Sequence, residues 1–286
     1  MLLRILTAAG LIPAVVALVW WGPAPLLVAV AAAVAILALR EFFNLGELVG
    51  LRAYRYWTFV CAVGIFYAQY VAGSADTLTL GSGVTIVRPS SNPLAISLDE
   101  VLLVFVFGLM IAGLATRRPL QDVLSAVSIS SAGLLLISLP FSYLVRINEI
   151  VPGGRDLVLF TLFLIWAGDM LAYFTGRTVG RTPFAPILSP KKTWEGAIAN
   201  FVASLLVAVA FARWVQLDVV ALAAIAALAN IAGQMGDLIK SAYKRAASVK
   251  DSGTLLPGHG GMLDRIDSLI LASPVVWLAW HMLAPK

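Results

Sequence analysis

The chain has 286 residues, is 60% hydrophobic and only 12% charged, and carries a formal net charge of +5. Soluble domains are roughly half apolar and a quarter charged, so this composition excludes an ordinary soluble fold and puts the chain in the membrane class. The excess of Lys and Arg comes without a basic tail or a cluster of stacking aromatics, which speaks against a nucleic-acid partner; in membrane proteins such residues set orientation and meet anionic lipid.

Apolar runs recur from end to end, each close to the roughly 20 residues an α-helix needs to cross hydrocarbon. They predict an all-α, polytopic integral membrane protein with about nine transmembrane helices, at 5–21, 25–40, 57–73, 100–116, 123–145, 157–176, 196–216, 219–240 and 266–284. The runs are continuously apolar and rich in Ala and Leu, unlike the alternating segments of a membrane β-barrel. The first run, with Arg4 ahead of it, has the outline of a signal peptide, but it ends in Trp20-Trp21-Gly22-Pro23. That ending suits an interfacial anchor and a turn better than a small-residue cleavage site, so a retained helix is expected. The linkers at Ser74 to Pro93 and Val151 to Gly154 read as plain connectors.

Sorting the 20 Lys and Arg residues by the side each falls on gives fifteen on the side of the amino terminus and five on the other. Positive charge favours the cytoplasm, so the amino terminus is expected inside a cell membrane, with the carboxy terminus outside. Two inner segments, 177–195 and 241–265, then hold most of the unusual residues of a carboxy-terminal region 151–286, expected to be catalytic. The amino-terminal region 1–150 receives no role. No internal repeat of the transporter kind is evident.

Six of the fifteen acidic residues fall on or next to that inner face: Asp169, Glu195, Asp237, Asp251, Asp264 and Asp267. Asp169 and Asp237 lie inside apolar runs, where a charge costs about 2.5–3.5 kcal/mol if central in the bilayer, so they face protein or water and mark function by default. The alternative is an interfacial position paired with a nearby Lys or Arg. Asp264 and Asp267, three apart at a helix start, point the same way and suit a divalent ion, though capping alone also favours Asp there. Cys61 is the only cysteine, so a metal would be held by oxygen or histidine.

Ahead of these acids come Lys244, Arg245, Lys250 and Asp251, then Pro257, Gly258, His259, Gly260 and Gly261. Glycines permit a backbone nest for an anion, and the cations neutralise phosphate. The other inner segment, Ser189-Pro190-Lys191-Lys192-Thr193-Trp194-Glu195-Gly196, leads straight into a helix, where Thr193 or Ser189 can cap and the lysines can reach anionic head groups. Acids for Mg²⁺, cations for phosphate and a tight glycine loop are the parts of phosphoryl and nucleotidyl transfer. No Walker-type loop occurs.

Together these residues resemble the phosphatidate cytidylyltransferase, or CDP-diacylglycerol synthase, family. Its signature runs here over 27 positions as Ser241, Lys244, Arg245, Lys250, Asp251, Gly253, Pro257, His259, Gly260, Gly261, Asp264, Arg265 and Asp267. Upstream features follow in order: Asp169 with Ala172, Tyr173, Gly176 and Arg177; Ser189 to Thr193 with Glu195-Gly196; and Gly236-Asp237-Leu238. The likeness is strong over about 160–270. Two departures stand out. Met170-Leu171 replace a usual hydroxyl residue and glycine, and Ala199-Asn200 replace a usual glycine pair.

The resemblance implies cytidylyl transfer from CTP to phosphatidate, giving CDP-diacylglycerol and pyrophosphate in phospholipid biosynthesis. It also implies a metal held by Asp237, Asp264 and Asp267, with Asp169 and Lys250 joining them in catalysis. Mg²⁺ fits those ligands, and a second cation bridging Asp237 and Asp264 is compatible with them. Phosphate contacts fall to Ser189, Lys191, Lys192, Thr193, Ser241, Lys244, Arg245 and Arg265, and the nucleotide loop to His259, Gly260 and Gly261. A homodimer is compatible with this scheme. Two rivals remain: a CTP-dependent kinase of a lipid or polyprenol, and an ion-coupled transporter using the intramembrane acids.

Overall fold

Apolar segments shielded from water satisfy their backbone amides internally, and the helix is the local way to do so. The structure, a computed structural model, describes residues 2–73, 77–79, 85–87, 95–116, 119–150, 153–253, 255 and 260–284. His259, with Pro257 and Gly258, lies outside the described residues, as do the orientation charges Arg88, Arg117, Arg118 and Lys286.

The helices are α1 (Leu2–Trp21), α2 (Ala24–Leu48), α3 (Arg55–Gly73), α4 (Leu98–Leu114), α5 (Gln121–Gly133), α6 (Leu139–Asn148), α7 (Gly154–Thr178), α8 (Trp194–Val215), α9 (Val219–Ala246) and α10 (Leu263–Leu283). A π turn, Leu134–Ser138, joins α5 to α6 in one rod. It precedes Pro140, whose ring lacks the N–H that a regular helix would use, and the wider turn absorbs that defect. The linker expected as a plain connector contains a short antiparallel pair, β1 (Thr77–Thr79) and β2 (Thr85–Val87). A second pair, β3 (Pro183–Ala185) and β4 (Ser189–Thr193), lies between α7 and α8.

Among the described residues the helical rods overlap the expected spans, with α2 and α9 running further than expected. Six of them are long and apolar enough to cross a membrane by length and composition: α2, the α5–α6 rod, α7, α8, α9 and α10. Of the others, α1 contributes a shorter apolar helix at Ala9–Trp21 and α4 has 17 residues. The third, α3, mixes Arg55, Thr58 and Gln69 into its run. The expectation of about nine crossings thus meets six helices that satisfy these measures. Leu103, Phe107, Ile111 and Leu114 on α4, and Leu206, Val209 and Trp214 on α8, are exposed, as suits a lipid-facing surface. The protein is a multi-pass, all-α membrane protein.

Side-chain size sets the packing. On α9 the buried positions Leu222, Ala226, Ala229, Gly233, Gly236 and Lys240 repeat at helical spacing and form one mostly small-residue stripe. The most extensive helix contacts are α7 with α8 and α9 with α10, followed by α8 with α9. Only Gln216 to Asp218 separate α8 from α9; Gln216 takes the left-handed conformation (φ 54°), and Asp218 caps α9 by accepting from the Val220 amide at 2.9 Å. The expected boundary at residue 150 does not interrupt the interior, since α6 lies against both α7 and α10, and α2 lies against α10.

Candidate active site

The antiparallel run of α7 to α10 brings four segments to one end: the last turns of α7, the β3–β4 hairpin entering α8, the last turns of α9, and the first turn of α10. They enclose a cavity of about 620 Å³. Asp169, Tyr173 and Arg177 of α7 line it, with Lys191, Lys192 and Thr193 of β4, Asn200 of α8, Gln234 and Asp237 of α9, and Ser268 of α10.

Local sequence explains how the hairpin presents its lysines. Thr193 is the N-cap of α8, its Oγ1 accepting from the Gly196 amide at 3.2 Å. The Glu195 carboxylate turns back to the hairpin, accepting from the Thr182 amide at 3.2 Å and from the Thr182 hydroxyl at 3.1 Å. Phe184 meets Trp194 edge to face at 4.6 Å. Glu195 is therefore spent on the hairpin and does not join the acids in the cavity. Arg245 braces the same hairpin, its Nε donating to the Leu188 carbonyl at 3.2 Å.

On the α9 side, Lys192 forms an ion pair with Asp237. Gly236 fixes where that carboxylate sits: a Cβ there would lie 2.6 Å from the Asp267 carbonyl oxygen, so only glycine lets α9 and α10 cross this closely. Asp267 lies 3.9 Å from the Lys240 ammonium and accepts from the Ser268 amide at 2.9 Å. Asp169 feels the charges of Asp267 and Asp237, so three of the acids flagged in the sequence do converge. Met170 offers Asp169 no hydroxyl; instead Asn200, the other departure from the usual pattern, donates to its Oδ1 at 3.3 Å. Behind it runs a relay of amides: Asn230 donates to Asn200 Oδ1 at 2.5 Å and Gln234 to Asn230 Oδ1 at 2.7 Å.

Asp264 occupies a different setting. Its Oδ1 accepts from the Lys244 ammonium at 2.5 Å; its Oδ2 accepts from the Ser252 amide at 2.9 Å, the Ser252 hydroxyl at 3.0 Å and the Gly261 amide at 3.2 Å. The Gly261 amide, expected to serve a nucleotide loop, is thus directed at a carboxylate of the protein, while Gly260 takes the positive φ (77°) that its turn requires. Of the other expected residues, Ser241 is buried and gives its hydroxyl to the Asp237 carbonyl at 2.9 Å, Ser189 sits on β4, and Lys250 and Arg265 are exposed; none of these, nor Asp264, Asp267, Lys244 or Arg245, lines the cavity.

Two groups escaped the sequence reading. Lys240, counted there only as an orientation charge, is buried; its Nζ donates to the Leu263 carbonyl at 2.6 Å and interacts with the charges of Asp267, Asp237 and Asp264. Glu41 of α2 is buried and accepts from the Met262 and Leu263 amides, both at 2.8 Å.

Among the described residues, the potential metal donors around the cavity are hard oxygens. Among the described residues no three His, Cys, Asp or Glu side chains form a ready cage. Mg²⁺ is ordinarily held by one or two carboxylates with waters and substrate phosphates, so Asp237 facing the cavity, with Asp267 and Asp169 within electrostatic reach, fits such an ion.

Curated proteins are similar to this chain over part of its length. A phosphatidate cytidylyltransferase of Bacillus subtilis is 37% identical over 145 residues, covering 50% of this chain and 54% of that protein. One of Brucella suis is 42% identical over 134 residues (44% and 47%), and one of Haemophilus influenzae 42% over 127 residues (42% and 44%). The matched segments span about half the length of these relatives. Acids and lysines meeting at the end of apolar helices, in a chain whose residues 2–283 match the cytidylyltransferase family as a whole, place this protein in that family, to which it belongs.

Proposed function

We propose that the protein transfers the cytidylyl group of CTP to phosphatidate. A phosphate oxygen of phosphatidate forms a bond to the α-phosphorus, the bond from that phosphorus to the bridging oxygen breaks, and pyrophosphate leaves with the electron pair. The observation that carries this reading is the Lys192–Asp237 pair spanning a cavity where Lys191 and Arg177 join acids from α7 and α9, in a chain of the cytidylyltransferase family.

The nucleophile is already an anion, so no strong base is needed. The task is to bring two polyanions together in line. Lys191, Lys192 and Arg177 neutralise phosphate from the hairpin and α7 side. Lys192 releases Asp237 when a phosphate takes its ammonium. Asp237, Asp264 and Asp267 are the proposed metal ligands, with Asp169 beside them. Within Asp264 the lone Lys244 contact leaves Oδ1 as the exchangeable oxygen. When bound, Mg²⁺ would neutralise charge developing on the phosphates. An apolar hollow of about 330 Å³ adjoins the cavity, sharing Phe184, Ala197 and Gln234 and continuing along Trp194, Phe201 and Met235. It suits an acyl chain of a lipid whose head group lies in the polar cavity. The excess of Lys and Arg at this end supports a cytoplasmic orientation for the site and the amino terminus.

The test is purified protein in detergent with labelled CTP, phosphatidate and Mg²⁺. CDP-diacylglycerol and pyrophosphate are the expected products. Release of CDP instead would identify a CTP-dependent lipid kinase and overturn the proposal, as would an absence of turnover.

A further inference from the structure

The amino-terminal half sends one charged side chain into the motif at the start of α10. Glu41 is 7% exposed, and each of its oxygens is occupied. Its Oε1 accepts from the Met262 amide at 2.8 Å, and its Oε2 accepts from the Leu263 amide and approaches the Ser252 hydroxyl, both at 2.8 Å. The first amides of a helix have no partner within it, and Met262, the N-cap of α10, offers no side-chain acceptor. A carboxylate from a helix more than 200 residues earlier does that work, where the helix dipole also favours negative charge.

The same carboxylate is joined to Asp264 through one hydroxyl. Ser252 Oγ lies 2.8 Å from Glu41 Oε2 and 3.0 Å from Asp264 Oδ2. A hydroxyl has a single proton to donate, so the two acids share it. The flanking backbone is shaped around Glu41 as well. A Cβ at Gly253 would lie 2.6 Å from Glu41 Oε1, and one at Gly261 would collide with both Glu41 Oε2 and Ser252 Oγ.

We infer that Glu41 is a positioning residue for Asp264: by fixing Ser252 and the first turn of α10 it clamps Oδ2 and leaves Oδ1 turned toward Lys244 and the incoming metal. The metal in this assignment rests on the proposed activity; the clamp itself does not.

The test uses the protein in detergent with Glu41→Gln, Ser252→Ala, the double variant, and, as a control also on α2, Glu47→Gln, which removes an ion pair with Arg55 of α3. Glu41→Gln keeps side-chain volume but replaces one acceptor with a donor. Amide hydrogen exchange over 252–264, Mn²⁺ affinity, and kcat and KM are read. Glu41→Gln is expected to speed exchange at the α10 start and weaken Mn²⁺ binding about 10–100-fold, as loss of a partner behind a metal ligand does, with KM for phosphatidate unchanged. Glu47→Gln is expected to change none of these. Ser252→Ala is expected to weaken Mn²⁺ binding in the same sense, and the double variant to fall short of the product of the singles. Wild-type exchange and Mn²⁺ affinity in Glu41→Gln, even with a lowered Tm, would overturn the assignment. Should Glu41→Gln fail to accumulate, wild-type Mn²⁺ affinity in Ser252→Ala overturns it equally. Wild-type protein without turnover would sink the proposed activity and leave the clamp to be decided by exchange.

Discussion

Asp237, which lines the cavity, and Asp264, which sits outside its lining at the start of α10, are held by opposite means. Asp237 faces open space and is met by one ammonium, Lys192, carried on a short strand. Asp264 is gripped by four donors from Lys244, Ser252 and Gly261, with Glu41 behind them. A carboxylate with one exchangeable partner can trade it for a ligand, whereas one with two backbone amides and a shared hydroxyl on a single oxygen keeps its orientation while the other oxygen works. Preorganisation at one acid and adaptability at the other are what joining two mobile polyanions requires.

Variants can break this contrast in order of expected effect. Lys244→Met leaves the Asp264 carboxylate, 8% exposed, without its cation; breaking a buried pair this way costs about 3–5 kcal/mol. A lower thermal midpoint together with loss of turnover is the expected pairing. Asp237→Asn, at the acid that faces the cavity, is expected to cut kcat by about 10²–10³-fold, the scale of losing one electrostatic stabiliser, with the thermal midpoint unchanged. A large fall in stability there would erase the distinction between the two acids. Gly236→Ala forces a methyl against the Asp267 carbonyl and is expected to cost about 1–3 kcal/mol of stability, while separating Asp237 from Asp267 and so raising the Mg²⁺ concentration needed for half-maximal rate. Smallest is Asn230→Leu, which cuts the amide relay behind Asp169. Interhelical hydrogen bonds in membranes average about 0.6 kcal/mol, so a Tm change near the limit of measurement and a few-fold loss of rate are expected.

Asp169 and Asp237 were legible because charge inside apolar runs is conspicuous, and the lysine pair and Asp264 and Asp267 because they flank helix starts, the two acids beside a glycine loop. Glu41 and Lys240 were hidden by helix ends. The expected span 25–40 stopped one residue before Glu41, but α2 continues to Leu48 because Phe42, Phe43 and Leu45 extend its buried face. Likewise 219–240 ended on Lys240, whereas α9 runs on to Ala246, which turns that lysine from an interfacial charge into a buried one. Ends are where propensity is weakest and tertiary burial decides. The role of Asn200 was unreadable for another reason. A substitution that looks like altered packing in one helix is a hydrogen bond once the neighbouring helix is in place.

The Lys240–Asp267 contact also bears on how the chain enters its bilayer. Of the six long apolar helices, α10 has the lowest mean hydropathy, 1.5, and carries Asp264 and Asp267 near its start. Each charge alone taxes partitioning into lipid. Synthesised in succession with opposite signs at matching depth, α9 and α10 are suited to leave the translocon as a neutralised hairpin. In a glycosylation-mapping assay α10 is accordingly expected to insert less efficiently when Lys240 is replaced by Asp.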